Sequence, residues 1–395
     1  MHARPLAVVA LSWAISAGAM AAEEPPAPES RFLYGGEVVG NLAPVDPGYF
    51  NQTDYGRDSL RLFRLNLALE LRASERLALL TEIRSDNLDV PRPYALYVRF
   101  RPWRERAFDV EVGRLPPVFG AFLRRRYEYD NPLIGYPLPY QYPTVIRPDS
   151  APQSLQQVFS YRGYGAFVRY PIGDTTAESG LALVNPLRWD TGIQVRVGTD
   201  PLQLAVAVTQ GTIANPRVDD DNEGKQVAAR LGWRPTFGAD IGLSAAKGDY
   251  VSDEVKTLLP GGIAAVEKSH QTAIGVDCEI ARGAWLVRAE ALWSEWDMPT
   301  IATGPFAAFG FTAEARYRIV AGLYAAGRVS GTRFETIAAP NGPTTWDSPV
   351  TRFEAGAGYS FHRNLLGKVA IQYNERDATR VRSQWIPAMQ LLFWF

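Results

Sequence analysis

The end of the chain alternates between apolar and other residues up to its last position. Met389, Leu391, Phe393 and Phe395 recur at every second residue. Successive side chains of a β-strand point to opposite faces, so these four would share one apolar face of a strand. Chain ends in soluble proteins are usually polar and frayed. The pattern therefore predicts that the terminus itself is a strand of a sheet with an apolar surface.

The beginning of the chain has the pattern of a secretory signal peptide. A basic start with His2 and Arg4 is followed by an apolar run from Leu6 to Ala19 and by the small-residue cleavage pattern Ala19-Met20-Ala21. We expect residues 1–21 to be removed and residues 22–30 to form a flexible periplasmic tail. No later segment approaches the roughly 18 consecutive apolar residues of a membrane helix.

The C-terminal pattern carried by Phe393 and Phe395 resembles the assembly signal of bacterial outer-membrane β-barrels. The resemblance implies a Gram-negative outer membrane as the location, with the barrel assembly machinery, outer-membrane lipid and lipopolysaccharide as partners. A secreted chain that spans a membrane without a helix must close its sheet, because lipid cannot satisfy open backbone groups.

Alternation of apolar and polar residues continues through residues 31–395. Marking every such run gives an all-β, antiparallel transmembrane barrel of about eighteen strands, or about sixteen if one weak hairpin is loop. The connections alternate between long and short, which is typical of outer-membrane barrels. The expected long external loops are 41–58, 85–93, 114–156, 185–190, 213–223, 249–267, 297–307, 335–347 and 375–382. The expected short periplasmic turns are 73–76, 102–106, 171–177, 199–201, 235–239, 282–284, 320–322 and 362–364.

A soluble all-β sandwich is the competing class, since it also has short regular strands. The apolar terminal strand and the small inward residues that alternate with Arg and Glu favour the barrel. Acidic and basic residues nearly cancel, 42 against 41, so charge does not indicate a nucleic-acid partner. A single cysteine, Cys278, excludes an intramolecular disulfide and a cysteine-based metal cluster. The sequence predicts neither a metal site nor a cofactor.

The longest connection, about 114–156, interrupts the alternation and is expected to carry function, as long loops often do. Gly113, Arg114, Pro117 and Gly120 form a pattern that resembles a segment of phosphate-selective porins, and the longer run resembles outer-membrane proteins known only from sequence. The resemblance implies a bacterial outer-membrane porin whose third external loop folds into the barrel and narrows it. It also implies a homotrimer. It does not carry phosphate specificity to this chain.

Charges of both signs lie close together in this loop. Facing one another across a narrow aqueous gap, they would select solutes by charge. The alternative is that they only tie the loop to the wall by ion pairs, and both roles are compatible. The candidate constriction residues are Arg124, Arg125, Arg126, Tyr127, Glu128 and Asp130.

Strand parity predicts which charged residues face the lumen, although a slip of one residue would reverse any assignment. Basic residues lead slightly, which would favour anions weakly. The candidate pore-lining residues are Arg99, Arg101, Arg196, Arg230, Arg316, Arg328, Arg352, Glu290, Glu314 and Glu354.

An enzymatic barrel is not expected, because His270 and His362 are predicted at opposite membrane faces and a hydrolytic site needs groups within hydrogen-bond reach. A barrel of this strand number is too wide to be filled by its own side chains. We therefore expect a water-filled outer-membrane porin for passive diffusion of small hydrophilic solutes or ions. The alternative from another class is a plugged or structural barrel, an adhesin or scaffold, without transport.

Overall fold

The computed structural model describes residues 31–52, 57–103, 107–125, 127–186, 189–260, 269–301, 304–339, 342–378 and 380–395. The expected signal peptide and tail, 1–30, lie outside the described residues, as do Arg126 and the side chain of Arg124.

Sixteen antiparallel strands form a closed barrel, in which they follow one another in chain order. This confirms the predicted fold class and the lower of the two expected strand numbers. The barrel strands are β1 (Phe32–Leu42), β2 (Phe63–Arg72), β3 (Leu77–Asp86), β4 (Arg92–Phe100), β5 (Ala107–Leu115), β8 (Asp190–Thr199), β9 (Leu202–Thr209), β10 (Gln226–Trp233), β11 (Ala239–Asp249), β12 (His270–Arg282), β13 (Trp285–Trp296), β14 (Phe306–Val320), β15 (Leu323–Phe334), β18 (Val350–His362), β19 (Leu365–Arg376) and β20 (Ser383–Trp394).

The remaining elements are short and lie in the connections. Two-residue strands pair as β6 (Ser150–Ala151) with β7 (Ile172–Gly173) and as β16 (Thr336–Ile337) with β17 (Thr344–Thr345). The helices are α1 (Leu138–Gln141), α2 (Leu155–Ser160) and α3 (Asp253–Leu258), with 3-10 turns at Phe122–Arg124, Glu128–Asp130 and Gly165–Phe167. Within the described ranges, every helix is too short or too polar to cross a membrane.

The outer face of the barrel is apolar. In β20, Leu391 is 55% exposed whereas the next residue, Leu392, is fully buried. Met389 and Phe393 share the exposed face, as the period of two predicts. The same alternation in the other barrel strands produces an apolar outer surface, which is the arrangement that suits contact with lipid chains.

The first and last barrel strands close the sheet. Val38 of β1 lies opposite Phe393 of β20. Gly36 and Phe395 exchange two backbone hydrogen bonds, of 3.1 and 3.0 Å, so the final residue of the chain is paired. A Cβ atom at Gly36 would lie 2.5 Å from the carbonyl oxygen of Asn66, and only glycine fits there.

The third external connection is longer than predicted, because β5 ends at Leu115 and β8 begins at Asp190. The constriction loop is therefore 116–189 and not 114–156, and the predicted periplasmic turn 171–177 is part of it. The two extra strands among the eighteen belong to the weak hairpin. Its apolar residues, such as Val158, Val168 and Val184, are buried in an interior cluster and do not face lipid.

This loop, which we call L3 (residues 116–189), occupies the barrel interior. Phe119, Tyr140 and Leu183 of L3 belong to one buried apolar cluster that also includes wall residues such as Ala228 and Leu292. The expectation of a wide, water-filled lumen is therefore not met where L3 lies. Strand number sets the width of a barrel, but a long connection of this kind can fill it.

Candidate functional site

L3 enters the lumen at Gly120, where the backbone has a positive φ of 65°. A Cβ atom there would lie 2.1 Å from Oε1 of Glu290, so the loop turns inward against the wall only with glycine at this position. The Gly120 N–H donates to Oγ of Ser244 at 3.0 Å, and the Ala121 N–H donates to Glu290 at 3.1 Å. The Tyr140 hydroxyl donates to the same Glu290 oxygen at 2.5 Å. Glu290 of β13 thus fixes both the entry and a later segment of L3.

Arg125 of L3 is held by the opposite charge on β14. Its Nη1 donates to Oε1 of Glu314 at 2.9 Å. Glu314 also accepts from Arg288 at 3.4 Å and from Arg328 at 3.3 Å. A buried carboxylate with three guanidinium partners is well compensated, whereas removing one partner of a buried pair leaves a costly charge.

The next part of L3, residues 128–136, is bound through its main chain. Lys368 donates to the carbonyl oxygens of Glu128 and Asn131, both at 2.6 Å. Arg328 donates to the carbonyl of Gly135 at 3.2 Å and Arg352 to that of Tyr136 at 3.0 Å. We call these three wall residues the carbonyl clamp. They satisfy backbone acceptors that an irregular buried segment could not pair within itself.

At Glu128, L3 reaches the opposite side of the lumen and contacts β1 and β2. Its N–H donates to the carboxylate of Glu37 on β1 at 3.0 Å, and its Oε1 accepts from Arg64 of β2 at 3.3 Å. Arg64 is paired as well with Asp86 of β3 at 2.8 Å. L3 therefore contacts the wall from β1 and β2 through to β15 and β19.

A narrow gap remains between L3 and the wall of β2–β4. It has about 30 Å³ of space for water-molecule centres, enough for about two water molecules. Wall arginines and an L3 arginine line it together with one L3 carboxylate and several aromatic rings. Its lining includes Arg64, Arg84, Arg125, Glu128, Tyr94 and Trp189.

The structure brings three of the six candidate constriction residues to this gap, namely Arg125, Tyr127 and Glu128. The Tyr127 ring stacks on Tyr129 at 5.3 Å. Asp130 lies further along the loop, where its carbonyl accepts from Arg288 at 3.1 Å. Arg124 ends a 3-10 turn, with its side chain outside the described residues, and Arg126 lies wholly outside them.

The candidate pore-lining residues divide into two groups. The first group is buried against L3 and binds it directly or through neighbours: Arg328, Arg352, Glu290, Glu314 and Glu354. The second group is less buried and mostly paired along the wall: Arg99 with Glu70, Arg101 with Asp109, Arg196 with Glu111, Arg230 with Asp277, and Arg316 over the Tyr324 ring. The first group holds the loop, so only the second is placed to line an open vestibule.

Most residues that line the gap were not among the candidates, and Arg84, Tyr94 and Trp189 are examples. Arg84 has the inward parity of its strand and could have been found by the same reasoning as its neighbours. Tyr94 of β4 and Trp189 of L3 are in contact, with ring centroids 4.9 Å apart. The sequence around either residue does not predict this contact. Within the described ranges, no group of three His, Cys, Asp or Glu side chains could hold a metal ion.

The connection between β15 and β18 covers L3 from the outside. Trp346 is fully buried between Phe306, Phe334 and Trp296, with ring centroids 4.6 to 6.0 Å away. The next residue, Asp347, accepts backbone N–H bonds from Val145 and Gly163 of L3 at 3.0 and 2.7 Å. Burial raises the pKa of the Asp347 carboxyl to about 6.

Solved structures with this architecture include bacterial outer-membrane channels and porins, and the fold is that of the outer-membrane porins. The outer-membrane channel DcaP of Acinetobacter baumannii matches with a TM-score of 0.54 and 12% identity, covering 92% of this chain and 97% of its own. The trimer form of OmpT from Vibrio cholerae matches at 0.53 and 9%, covering 92% and 99%.

An anion-selective porin from Comamonas acidovorans matches at a TM-score of 0.52 and 10% identity, covering 93% of this chain and all of its own. No protein-family model and no curated protein sequence matches the chain. At these identities the likeness concerns the fold.

Proposed function

We propose that the protein is an outer-membrane channel of the porin type, which passes ions and small hydrophilic solutes through the gap between L3 and the β2–β4 wall. The observation that carries the proposal is the composition of this gap. An apolar plug would have sealed this face, but here Arg64, Arg84 and Arg125 face a cavity that can hold water. Charged groups around a narrow aqueous gap are the elements of charge selection.

Because this path is narrow, we expect the conductance of a single channel to be small. Room for about two water molecules admits partly dehydrated ions, whereas larger solutes need L3 to move. Three arginines and one glutamate line the gap, which supports a weak preference for anions. Arg64 is largely neutralised by Asp86 and Glu128, and this keeps the preference modest.

The location and assembly of the protein belong to the same proposal. The apolar belt and closed seam suit an outer-membrane barrel that is delivered by the signal peptide of residues 1–21 and inserted with the C-terminal pattern of Phe393 and Phe395. The trimer form of a structural neighbour supports a homotrimer. Lipid and lipopolysaccharide would contact the outer surface and the external loops.

A plugged barrel without transport is the second candidate, and one observation favours it. The apolar cluster around Phe119, Tyr140 and Trp346 fills the lumen with fully or nearly fully buried side chains. In that case L3 would be a permanent core of the barrel and the external loops would form a binding surface.

Single-channel recording in planar bilayers separates the two candidates. Leu115 and Asp190 are paired neighbours, so a short glycine-rich turn can replace residues 117–186 without moving β5 or β8. The proposed channel gives small discrete steps in the native protein and large steps in this loop-deleted control. Silence from native protein beside a conducting control would establish the plugged barrel instead.

The charge of the gap is tested in a salt gradient. Replacing Arg124, Arg125 and Arg126 together by alanine should shift the reversal potential toward cations. An unchanged reversal potential in a conducting variant would remove these arginines from charge selection.

A further inference from the structure

Arg84 on β3 differs in its surroundings from Arg64 and Arg328, the two wall arginines that are paired with carboxylates. Its guanidinium lies over the Tyr94 ring, 3.7 Å from the centroid. Its Nε atom is buried and has no hydrogen-bond partner among the described residues. Within that same part of the chain Arg84 also forms no ion pair, while Arg64 pairs with Asp86 and Arg328 with Glu354.

The Arg84 guanidinium lacks the carboxylate acceptor that Arg64 and Arg328 have. A cation–π contact with one tyrosine ring offsets part of the cost of removing a guanidinium from water. It cannot replace hydrogen bonds, because the ring offers no acceptor in the plane of the five N–H groups. A buried donor without an acceptor is unfavourable, and such groups in folded proteins usually bind water or an ion.

The gap beside Arg84 provides the space for such a ligand. Arg84 lines the cavity of about 30 Å³ together with Arg64, whose strand lies next to β3. In the register of β2 and β3, Arg84 lies opposite Asn66, two residues from Arg64 on the same lumen face. Both guanidinium groups therefore contribute positive potential to one small cavity with aromatic walls at Tyr94 and Trp189.

We propose that this cavity binds a single small anion, a halide or the carboxylate of a small organic acid, on the guanidinium of Arg84. The site deepens the proposed channel function and rests on it for its role in permeation. An anion in the gap supplies the acceptor that Arg84 lacks, and Arg64 adds attraction although it is itself paired. A passing anion then pauses at one defined position, so conductance saturates as salt concentration rises.

Three variants separate binding at Arg84 from a general effect of lumen charge. Arg84→Gln removes the charge without breaking a protein hydrogen bond, and Arg84→Lys restores the charge. Arg101→Gln is the matched control, because Arg101 is also a wall arginine but is paired in two bonds, at 2.6 and 2.7 Å, with Asp109. Loss of one unit charge about 4 Å from an anion in water-like surroundings weakens binding about fivefold.

The first readout is a bromide soak followed by anomalous diffraction. We expect a bromide peak beside Arg84 in the native protein and in Arg101→Gln, and none in Arg84→Gln. The second readout is conductance against KCl concentration. Arg84→Gln should raise the half-saturating concentration about fivefold, with recovery in Arg84→Lys. An additional soak with acetate in place of bromide distinguishes a carboxylate ligand from a halide.

The outcomes are distinct for the site and for the channel. No bromide at Arg84, or a saturation curve that Arg84→Gln leaves unchanged in a conducting protein, overturns the anion site and leaves the channel standing. Bromide at Arg84 in a protein that stays silent in bilayers overturns the channel, and with it the role of the site in permeation.

Discussion

Lys368 on β19 donates from its ammonium group to the carbonyl oxygen of Glu128 at 2.6 Å, inside the barrel. A lumen-facing lysine thus binds the main chain of L3 and not a passing solute. The same ammonium reaches the carbonyl of Asn131, and Arg328 and Arg352 bind the two residues that end this segment. These three lumen-facing cations, Lys368, Arg328 and Arg352, therefore hold the loop.

Lys368→Met is predicted to loosen L3. It leaves the carbonyls of Glu128 and Asn131 without their donor, which should destabilise the docked loop by about 2 kcal/mol and raise the population of undocked states roughly thirtyfold. Single-channel recording should show frequent large openings. Lys225→Met is the control, because Lys225 is an exposed lysine paired with Asp220 on an external loop. Equal traces from native protein and Lys368→Met would show that the carbonyl clamp does not limit the gap.

Gly120→Ala is predicted to displace the entry of L3. The positive φ alone costs about 1–3 kcal/mol for a residue with a side chain. The clash with Glu290 adds to this cost and breaks the bonds that Ala121 and Tyr140 make to that carboxylate. We expect a lower thermal unfolding temperature in detergent together with increased conductance.

Gly283→Ala separates the clash from the backbone strain. Gly283 has nearly the same positive φ, of 61°, but a Cβ atom there would meet nothing within 4 Å. It should lower the unfolding temperature less and leave conductance unchanged. If both alanine variants behave alike, contact with Glu290 does not position the loop.

The strand alternation was predictable because it is local: Leu391 and Leu392 differ in exposure by parity alone. The extent of L3 was not, because Val158 and Val168 repeat apolar spacing that a lipid-facing strand would also show. A period of two indicates which residues share one face of a strand. It does not indicate whether lipid or an interior cluster covers that face.

The partners of the wall charges could not be predicted from the sequence for a similar reason. Parity places Arg328 and Arg352 inside the barrel, but the carbonyls they bind are about 200 residues away in the chain, a separation of 193 for Arg328 and Gly135. Likewise Arg84 and Arg64 have the same parity and type. Only the fold shows that one is paired with Asp86 and that the other lies on the Tyr94 ring.

Asp347 is predicted to make the attachment of L3 to the outer loop depend on pH. Its pKa is raised to about 6 in the folded protein from an ordinary 3.8, so the folded state binds the proton more tightly. Stability contributed by this group is therefore largest below about pH 4 and declines as pH rises to about 6. Unfolding temperatures of native protein and Asp347→Asn, measured from pH 4 to 7, should differ in slope over this range. Parallel curves would show that Asp347 is already ionised in the fold.

Phe395 is predicted to act in assembly more than in stability of the finished barrel. Its backbone forms the last two hydrogen bonds of the seam with Gly36, and these remain when the side chain is removed. The residue is 43% exposed on the outer face, so Phe395→Ala costs less packing than the loss of a fully buried ring would. The amount of heat-modifiable barrel in outer membranes should fall severalfold, while protein refolded in detergent keeps nearly its native unfolding temperature.

Phe361→Ala is the matched control for this prediction. Phe361 ends the outward face of β18 at the same end of the barrel and is 63% exposed. Phe361 is more exposed than Phe395, and loss of its ring removes the same kind of lipid contact without touching the terminal pattern. If membrane levels of the two variants fall together, the effect at Phe395 comes from lipid contact. If only the membrane level of Phe395→Ala falls, the assembly machinery recognises the terminal ring before the seam closes. After closure, pairing with Gly36 holds Phe395 in the sheet.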